Sequence, residues 1–291
     1  MLTMKIAVVT DSTSYLSAED IERYQIHVVP IPVIIDGRSY NEGVDITTDE
    51  FWEKLRHSKS FPSTSQPPLG EMIALYQQLG DEGYDTIISI HLASTISGFV
   101  NSLRQVNEHL TNTKVVVYDS QITVKLMGYL AIEAAKLAAK GEDIDTIIDR
   151  LDAVRATIDE VFVVDDLQNL VRGGRLSNAS AFIGSILKIK PLLTFDDQSH
   201  EIVAFEKVRS RKKALLRVED IFAEAVKQAD YPLRALVIEG NDPEGGANWV
   251  KQVETKFPQI PVELSYFGPV IGTHLGEKSL ALAWMIDTDK A

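Results

Sequence analysis

The chain contains no cysteine. Disulfides, thiolate metal sites and cysteine nucleophiles are therefore excluded, and a reducing compartment is compatible. Three glycine signatures are also missing: Gly-x-x-x-x-Gly-Lys-Ser/Thr, Gly-x-Gly-x-x-Gly and Gly-x-Ser-x-Gly. Nucleotide-binding and α/β-hydrolase readings thereby lose their usual supports. His-x-x-x-His metal spacing is absent too. No apolar run approaches the roughly 20 residues that span a bilayer. The start runs from Met1 to Lys5 straight into Ile6-Ala7-Val8-Val9, without a signal-peptide pattern. Basic charge is scarce: 29 Lys and Arg stand against 42 Asp and Glu, a net charge of −13. Nucleic acid is a poor partner for such a surface, whereas a small anion in one local pocket is not excluded. The expectation is a soluble, cytoplasmic protein.

What is present is an ordinary globular composition. With 45% apolar and 24% charged residues over 291 positions, two cores are as feasible as one. Residues 5–10 form a compact apolar run, read as a buried strand, which ends in the polar turn Asp11-Ser12-Thr13-Ser14. Residues 27–33 read as an irregular strand, interrupted by Pro30 and Pro32. Asp36-Gly37 marks a hairpin, and Thr47-Thr48-Asp49-Glu50 starts a helix carrying Phe51, Trp52 and Leu55. Further strands are expected over 85–92 and 115–118, and helices after residue 98 and over 123–139 and 144–158. Such alternation predicts an α/β layer with a mainly parallel sheet. The second half holds a hairpin around Asp196-Asp197, a helix to about Ala229, and a further β-α-β pattern. The boundary falls near residue 159, giving an N-terminal domain over 1–158 and a C-terminal domain over 159–291.

Ligands of open α/β sheets bind beyond the carboxyl ends of the strands. Asp11-Ser12, Ser94 to Ser97 and Asp119-Ser120 all follow strands and could cluster there. The stretch Pro62-Ser63-Thr64-Ser65-Gln66-Pro67-Pro68 precedes a segment with apolar residues at Leu69, Met72, Ile73 and Tyr76. Hydroxyl residues there predict a helix N-terminus holding Thr64 and Ser65, either as plain caps or as an anion site. Ser94 and Ser97-Gly98, at a strand-to-helix junction, carry the same two readings. Asp11-Ser12-Thr13-Ser14 is an ordinary Asx turn or the seat of a nucleophilic Asp. His274, in a predicted loop between Gly272 and Gly276, is a backbone-bonded core histidine or a donor to the same anion. Arg172 and Arg175, in the turn Arg172-Gly173-Gly174-Arg175, pair with Asp165 or Asp166, or face a phosphate or an acidic partner.

In this order and at these separations, several stretches resemble the DegV family of bacterial fatty-acid-binding proteins. They are Thr10-Asp11-Ser12-Thr13, Thr64-Ser65-Gln66-Pro67, Ser94-x-x-Ser97-Gly98, Asp165-Asp166-Leu167 through Gly174-Arg175-Leu176, and Gly268-Pro269-Val270 with His274-Leu275-Gly276. The likeness extends over nearly the whole chain. It implies two α/β domains with one long-chain fatty acid, such as palmitate, stearate or oleate, held between them. The carboxylate would be bound by Thr64 and by Ser94 or Ser97, with His274 as a third contact. Phe182, Ile183, Ile186 and Leu187 would line the acyl tunnel, or be ordinary core. The family acts as the binding subunit of fatty acid kinase, whose catalytic subunit uses ATP to make an acyl phosphate for phospholipid synthesis. Arg175 would face that partner, and transient contact with a membrane surface is compatible. No cofactor, metal or catalytic residue is implied. Two departures stand out: Phe99 replaces a small hydroxyl residue, and Ala93 replaces a serine. The competing expectation is a stand-alone phosphatase or phosphotransferase built on Asp11 or Asp119.

Overall fold

The computed structural model describes residues 5–181 and 189–290. The chain divides into two compact units, residues 1–46 with 64–156 and residues 47–63 with 157–291. The longer segment of the second unit starts at Thr157. Residues 47–63, expected in the first domain, belong to the second unit.

In chain order the elements begin with β1 (Ile6–Asp11), α1 (Ala18–Tyr24), β2 (His27–Val29), β3 (Pro32–Ile35) and β4 (Arg38–Asn41). There follow α2 (Thr48–His57), β5 (Ser63–Thr64), α3 (Leu69–Asp81), β6 (Thr86–His91), α4 (Phe99–Leu103) and β7 (Lys114–Asp119). Next come α5 (Val124–Lys140), α6 (Ile144–Arg155), β8 (Asp159–Val163), α7 (Gln168–Gly173), β9 (Lys190–Phe195) and β10 (Ile202–Val208). The last are α8 (Arg211–Gln228), β11 (Leu233–Glu239), α9 (Pro243–Lys256), β12 (Val262–Tyr266), α10 (Pro269–Leu275) and β13 (Leu280–Ile286).

The first unit is built on a parallel sheet in the order β2-β1-β6-β7. β1 pairs with β6 from Ile6 opposite Thr86 to Thr10 opposite Ile90. All six residues of β6 are buried, as expected of a central parallel strand covered on both faces. α5 covers one face through Leu126, Met127, Leu130, Ala131 and Ala134, each fully buried. Its Gly128 lets the helix approach the turn after β1: a Cβ there would lie 2.6 Å from the Ser14 carbonyl oxygen. The expected irregular strand over 27–33 is two strands, since Pro30 lacks the N–H that a continuous ladder needs. β3 and β4 form the expected hairpin, with Asp36 and Gly37 at φ 47° and 77°, the left-handed pair that a tight turn requires.

The second unit has a mixed sheet in the order β10-β9-β8-β13-β11-β12. Only β11 and β12 run parallel, joined by α9; the other neighbours are antiparallel. α8 and α9 bring Val218, Phe222, Trp249 and Val253 against Val161, Val237, Leu282 and Trp284 in one apolar core. Phe222 meets Phe257 and Trp284 with ring centroids 4.8 and 5.1 Å apart. α2 joins this unit through Phe51 and Trp52, both buried. A Cβ on Gly272 of α10 would lie 2.7 Å from the Trp52 ring, so only glycine admits that contact. Among the described residues, no helix is long and apolar enough to cross a membrane.

Candidate functional site

The candidate residues of the first unit lie on two segments. The first is the stretch from Thr64 to Pro68. Thr64 and Ser65 do not head a helix as expected: Thr64 is in β5, and α3 begins at Leu69 with Pro68 as its uncapped N-cap. The cause is the Pro67-Pro68 pair. A residue before proline is pushed out of the helical region, so Gln66 and Pro67 stay extended and the helix starts after both prolines. The Ser65 N–H instead donates to the Pro32 carbonyl at 3.1 Å, which fixes this segment beside β3.

The second segment is the loop from Leu92 to Gly98, between β6 and α4. The Ser97 hydroxyl accepts from the Phe99 N–H at 3.3 Å, a local turn contact; the N-cap of α4 is Gly98, and no side chain caps the helix. Ser94 and Ser97 are partly exposed. The Ser94 N–H donates to Asp119 at 3.1 Å, and the Ala93 N–H to the Ile122 carbonyl at 2.8 Å. The Gln66 side-chain oxygen lies 3.5 Å from where a Cβ on Gly98 would stand, so the two segments run side by side. The structure therefore brings the Thr64 stretch next to the Ser97-Gly98 turn. Phe99 points inward: it is fully buried, with its ring 4.4 Å from that of His91.

Asp11 is fully buried. One carboxylate oxygen accepts from the Thr13 N–H at 3.1 Å and the Thr13 hydroxyl at 2.6 Å. The other accepts from His91 Nδ1 at 3.0 Å and the Leu92 N–H at 3.2 Å. This is the Asx turn of the simpler reading, extended by a histidine. Four donors in the core occupy both oxygens, an unsuitable setting for a nucleophile that must meet a phosphate.

The second unit contributes His274 and Arg175. His274 lies in the last turn of α10, not in a loop: Pro269 starts the helix and Gly276, at φ 77°, ends it. Its ring packs on Gly173, where a Cβ would fall 2.7 Å from Nδ1. Arg175 follows Gly174 at φ 71° and donates to the Gly173 carbonyl. Burial, and then the neighbouring Arg175 guanidinium, push the pKa of His274 down to about 4. Its imidazole is therefore neutral near pH 7 and offers one donor and one acceptor. Burial also lowers the Arg175 pKa from its ordinary value. Arg172 lies 3.8 Å over the ring of Phe61, a half-exposed aromatic, instead of pairing with Asp165 or Asp166. Asp165 pairs with Lys190.

The expected tunnel residues Phe182, Ile183, Ile186 and Leu187 lie outside the described residues. Among the described residues, no group of three or more His, Asp or Glu is placed to hold a metal ion. The residues missed by sequence reasoning are His91, Ser89 and Tyr76, which continue the Asp11 contact through the core. A signal existed: after Thr86, Ser89 and His91 are the polar residues of β6, and at i and i+2 they share one face.

Fold and motifs together define a two-unit α/β protein of the DegV type, and the chain belongs to that family: its profile, described as DegV, matches residues 5–287. Among relatives, a DegV domain-containing protein of Listeria innocua is 50% identical over 282 residues, covering 97% of this chain and 99% of that one. A crystal structure of DegV from Bacillus subtilis, described as a fatty acid binding protein, superposes with a TM-score of 0.89 at 42% identity, covering 98% of this chain and all of that one. A fatty acid binding DegV family protein of Streptococcus agalactiae superposes with a TM-score of 0.91 at 36% identity, with the same coverage.

Proposed function

We propose that this chain binds one long-chain fatty acid and presents its carboxylate to a partner kinase. The kinase would phosphorylate it with ATP, and the acyl phosphate would feed phospholipid synthesis. In this reading Thr64 and Ser94 or Ser97 contact the carboxylate, His274 is a further contact, and Arg175 faces the partner or the transferred phosphate. The observation that carries the reading is the extended likeness to fatty-acid-binding DegV proteins. The approach of Gln66 to Gly98 supports it locally, because it sets two hydroxyl-bearing segments side by side. The energetics are sufficient. Each buried CH₂ contributes about 0.8 kcal/mol, so a long acyl chain supplies roughly 10 kcal/mol before the cost of ordering it. The head group then needs only hydroxyls and a neutral imidazole to fix its position.

The test begins with the purified protein, denatured and extracted. Mass spectrometry should find fatty acid at close to one molecule per chain. Thr64→Ala combined with Ser97→Ala should weaken rebinding of oleate with little change in thermal stability. Arg175→Ala should retain lipid and lower its ATP-dependent phosphorylation by an added kinase. A wild-type protein that carries no lipid and fails to bind palmitate or oleate removes the proposal. Lipid loss in Arg175→Ala would reverse the division of roles.

A further inference from the structure

We infer that Asp11, His91 and Phe99 are positioning residues for the loop that carries Ser94 and Ser97, acting through a directed hydrogen-bond chain in the core. The inference rests on the fatty-acid reading for what the loop binds. The chain itself rests on geometry. Tyr76 Oη lies 2.7 Å from Ser89 Oγ, and Ser89 Oγ lies 2.7 Å from His91 Nε2. His91 Nδ1 lies 3.0 Å from Asp11. All four residues are fully buried. At the far end Thr123 donates to the Thr13 hydroxyl at 3.0 Å, and Thr13 donates to Asp11.

The direction of each bond follows from what the groups can do. The Asp11 carboxylate only accepts, so His91 Nδ1 must donate. Ser89 then donates to Nε2, and Tyr76 donates to Ser89. Burial raises the pKa of the Tyr76 phenol, which keeps it a donor. Every proton in the chain has an acceptor when His91 carries one proton, on Nδ1. With a proton on both ring nitrogens, Ser89 would have to turn its hydrogen toward Tyr76, and the phenol proton would lose its acceptor.

The spacing resembles that of a Ser-His-Asp triad, but the hydroxyl is sealed beneath Tyr76 and reaches no substrate. What the chain does hold is the loop. Asp11 accepts from the Leu92 N–H, the first amide of the loop. The His91 ring supports Phe99, the first residue beyond it. One imidazole, oriented by one carboxylate, therefore meets both ends of the Leu92–Gly98 segment. Phe99 thereby adds an aromatic contact to the anchor.

Asp11→Asn replaces one acceptor oxygen with an NH₂ donor. With its NH₂ turned to His91 the amide would donate to Nδ1, shift the His91 proton to Nε2, reverse the chain and leave the Leu92 N–H facing a donor. The test pairs ¹⁵N NMR of the histidine ring with binding of two probes, oleic acid and oleyl alcohol, to delipidated protein. The wild type should show His91 protonated on Nδ1, and Asp11→Asn on Nε2. Asp11→Asn should weaken oleic acid about tenfold, the scale of one disturbed charged hydrogen bond, and leave oleyl alcohol within twofold. If Asp11→Asn does not fold, Phe99→Leu serves: it keeps an apolar side chain, removes the ring contact, and should weaken the acid several-fold more than the alcohol. A wild-type His91 protonated on Nε2 overturns the directed chain. Equal effects on acid and alcohol, or none on either, overturn the positioning role. A wild-type protein that binds neither probe overturns the fatty-acid reading, and the loop's role with it, whatever the tautomer.

Discussion

His274 should make the second unit acid-sensitive in a defined window. Its pKa falls from 6.5 to about 4 on folding. A base whose pKa is lowered in the folded state is stabilised above the unfolded pKa and loses that stability as pH falls toward the folded pKa. The full contribution is on the order of 3 kcal/mol, at 1.36 kcal/mol per pKa unit. Integration from pH 7 to pH 5 gives a loss of roughly 2 kcal/mol from this residue. All three tryptophans, Trp52, Trp249 and Trp284, lie in the second unit. Tryptophan fluorescence during urea unfolding therefore follows that unit selectively. The comparison is wild type against His274→Gln, both delipidated, at pH 7 and pH 5. Wild type should lose roughly 2 kcal/mol more than the variant over this interval. Added oleate should raise the pKa of His274, read from its ring proton shifts, if the carboxylate reaches the imidazole. The reasoning is refuted if the two proteins lose stability in parallel, or if His274 in the delipidated protein titrates near 6.5.

Gly173→Ala should displace the His274 ring, because the new methyl would lie 2.7 Å from Nδ1. It should lower stability by about 1–3 kcal/mol and raise the His274 pKa toward 6.5 by opening its surroundings. Gly272→Ala should push Trp52 from its contact, seen as a red shift in tryptophan emission. Phe222→Ala empties the centre of the second core and should reduce its stability by about 3–5 kcal/mol in the same urea assay. Asp143→Ala removes the cap on α6, whose side chain accepts from the Thr146 N–H at 2.8 Å. It should lower the melting temperature of the first unit slightly, for a change of about 1 kcal/mol.

Much of the fold was legible because it is encoded locally. Apolar runs located β1, β6 and β7, and the Asp36-Gly37 pair located its hairpin. At Thr64 two local signals compete: proline suits a first helical position, but it also holds the residue before it out of the helix, and with Pro67 and Pro68 in tandem the start moves to Leu69. His274 was read as loop because glycines flank it, although Pro269 is a start signal for a short helix. Pairings between residues far apart in sequence were out of reach. Asp11 and His91 meet across parallel strands and are separated by 80 positions; no local pattern encodes that contact. The approach of Gln66 to Gly98 is a second long-range pairing of this kind, joining segments about 30 positions apart.

The placement of α2 has a consequence for biogenesis. Trp52 belongs to the second unit, yet it is synthesised about 220 positions before Gly272, the residue it closes against. At roughly 5–20 residues per second on the ribosome, the Phe51-Trp52 pair of this amphipathic helix waits on the order of ten to forty seconds for its partner. A nascent chain paused in that interval displays Phe51 and Trp52 to solvent and to chaperones. The same detour means that residues 157–291 expressed alone lack an internal part of their own core. Cutting the gene at the apparent boundary should yield an aggregating fragment, and supplying residues 47–63 as a separate peptide should restore its solubility.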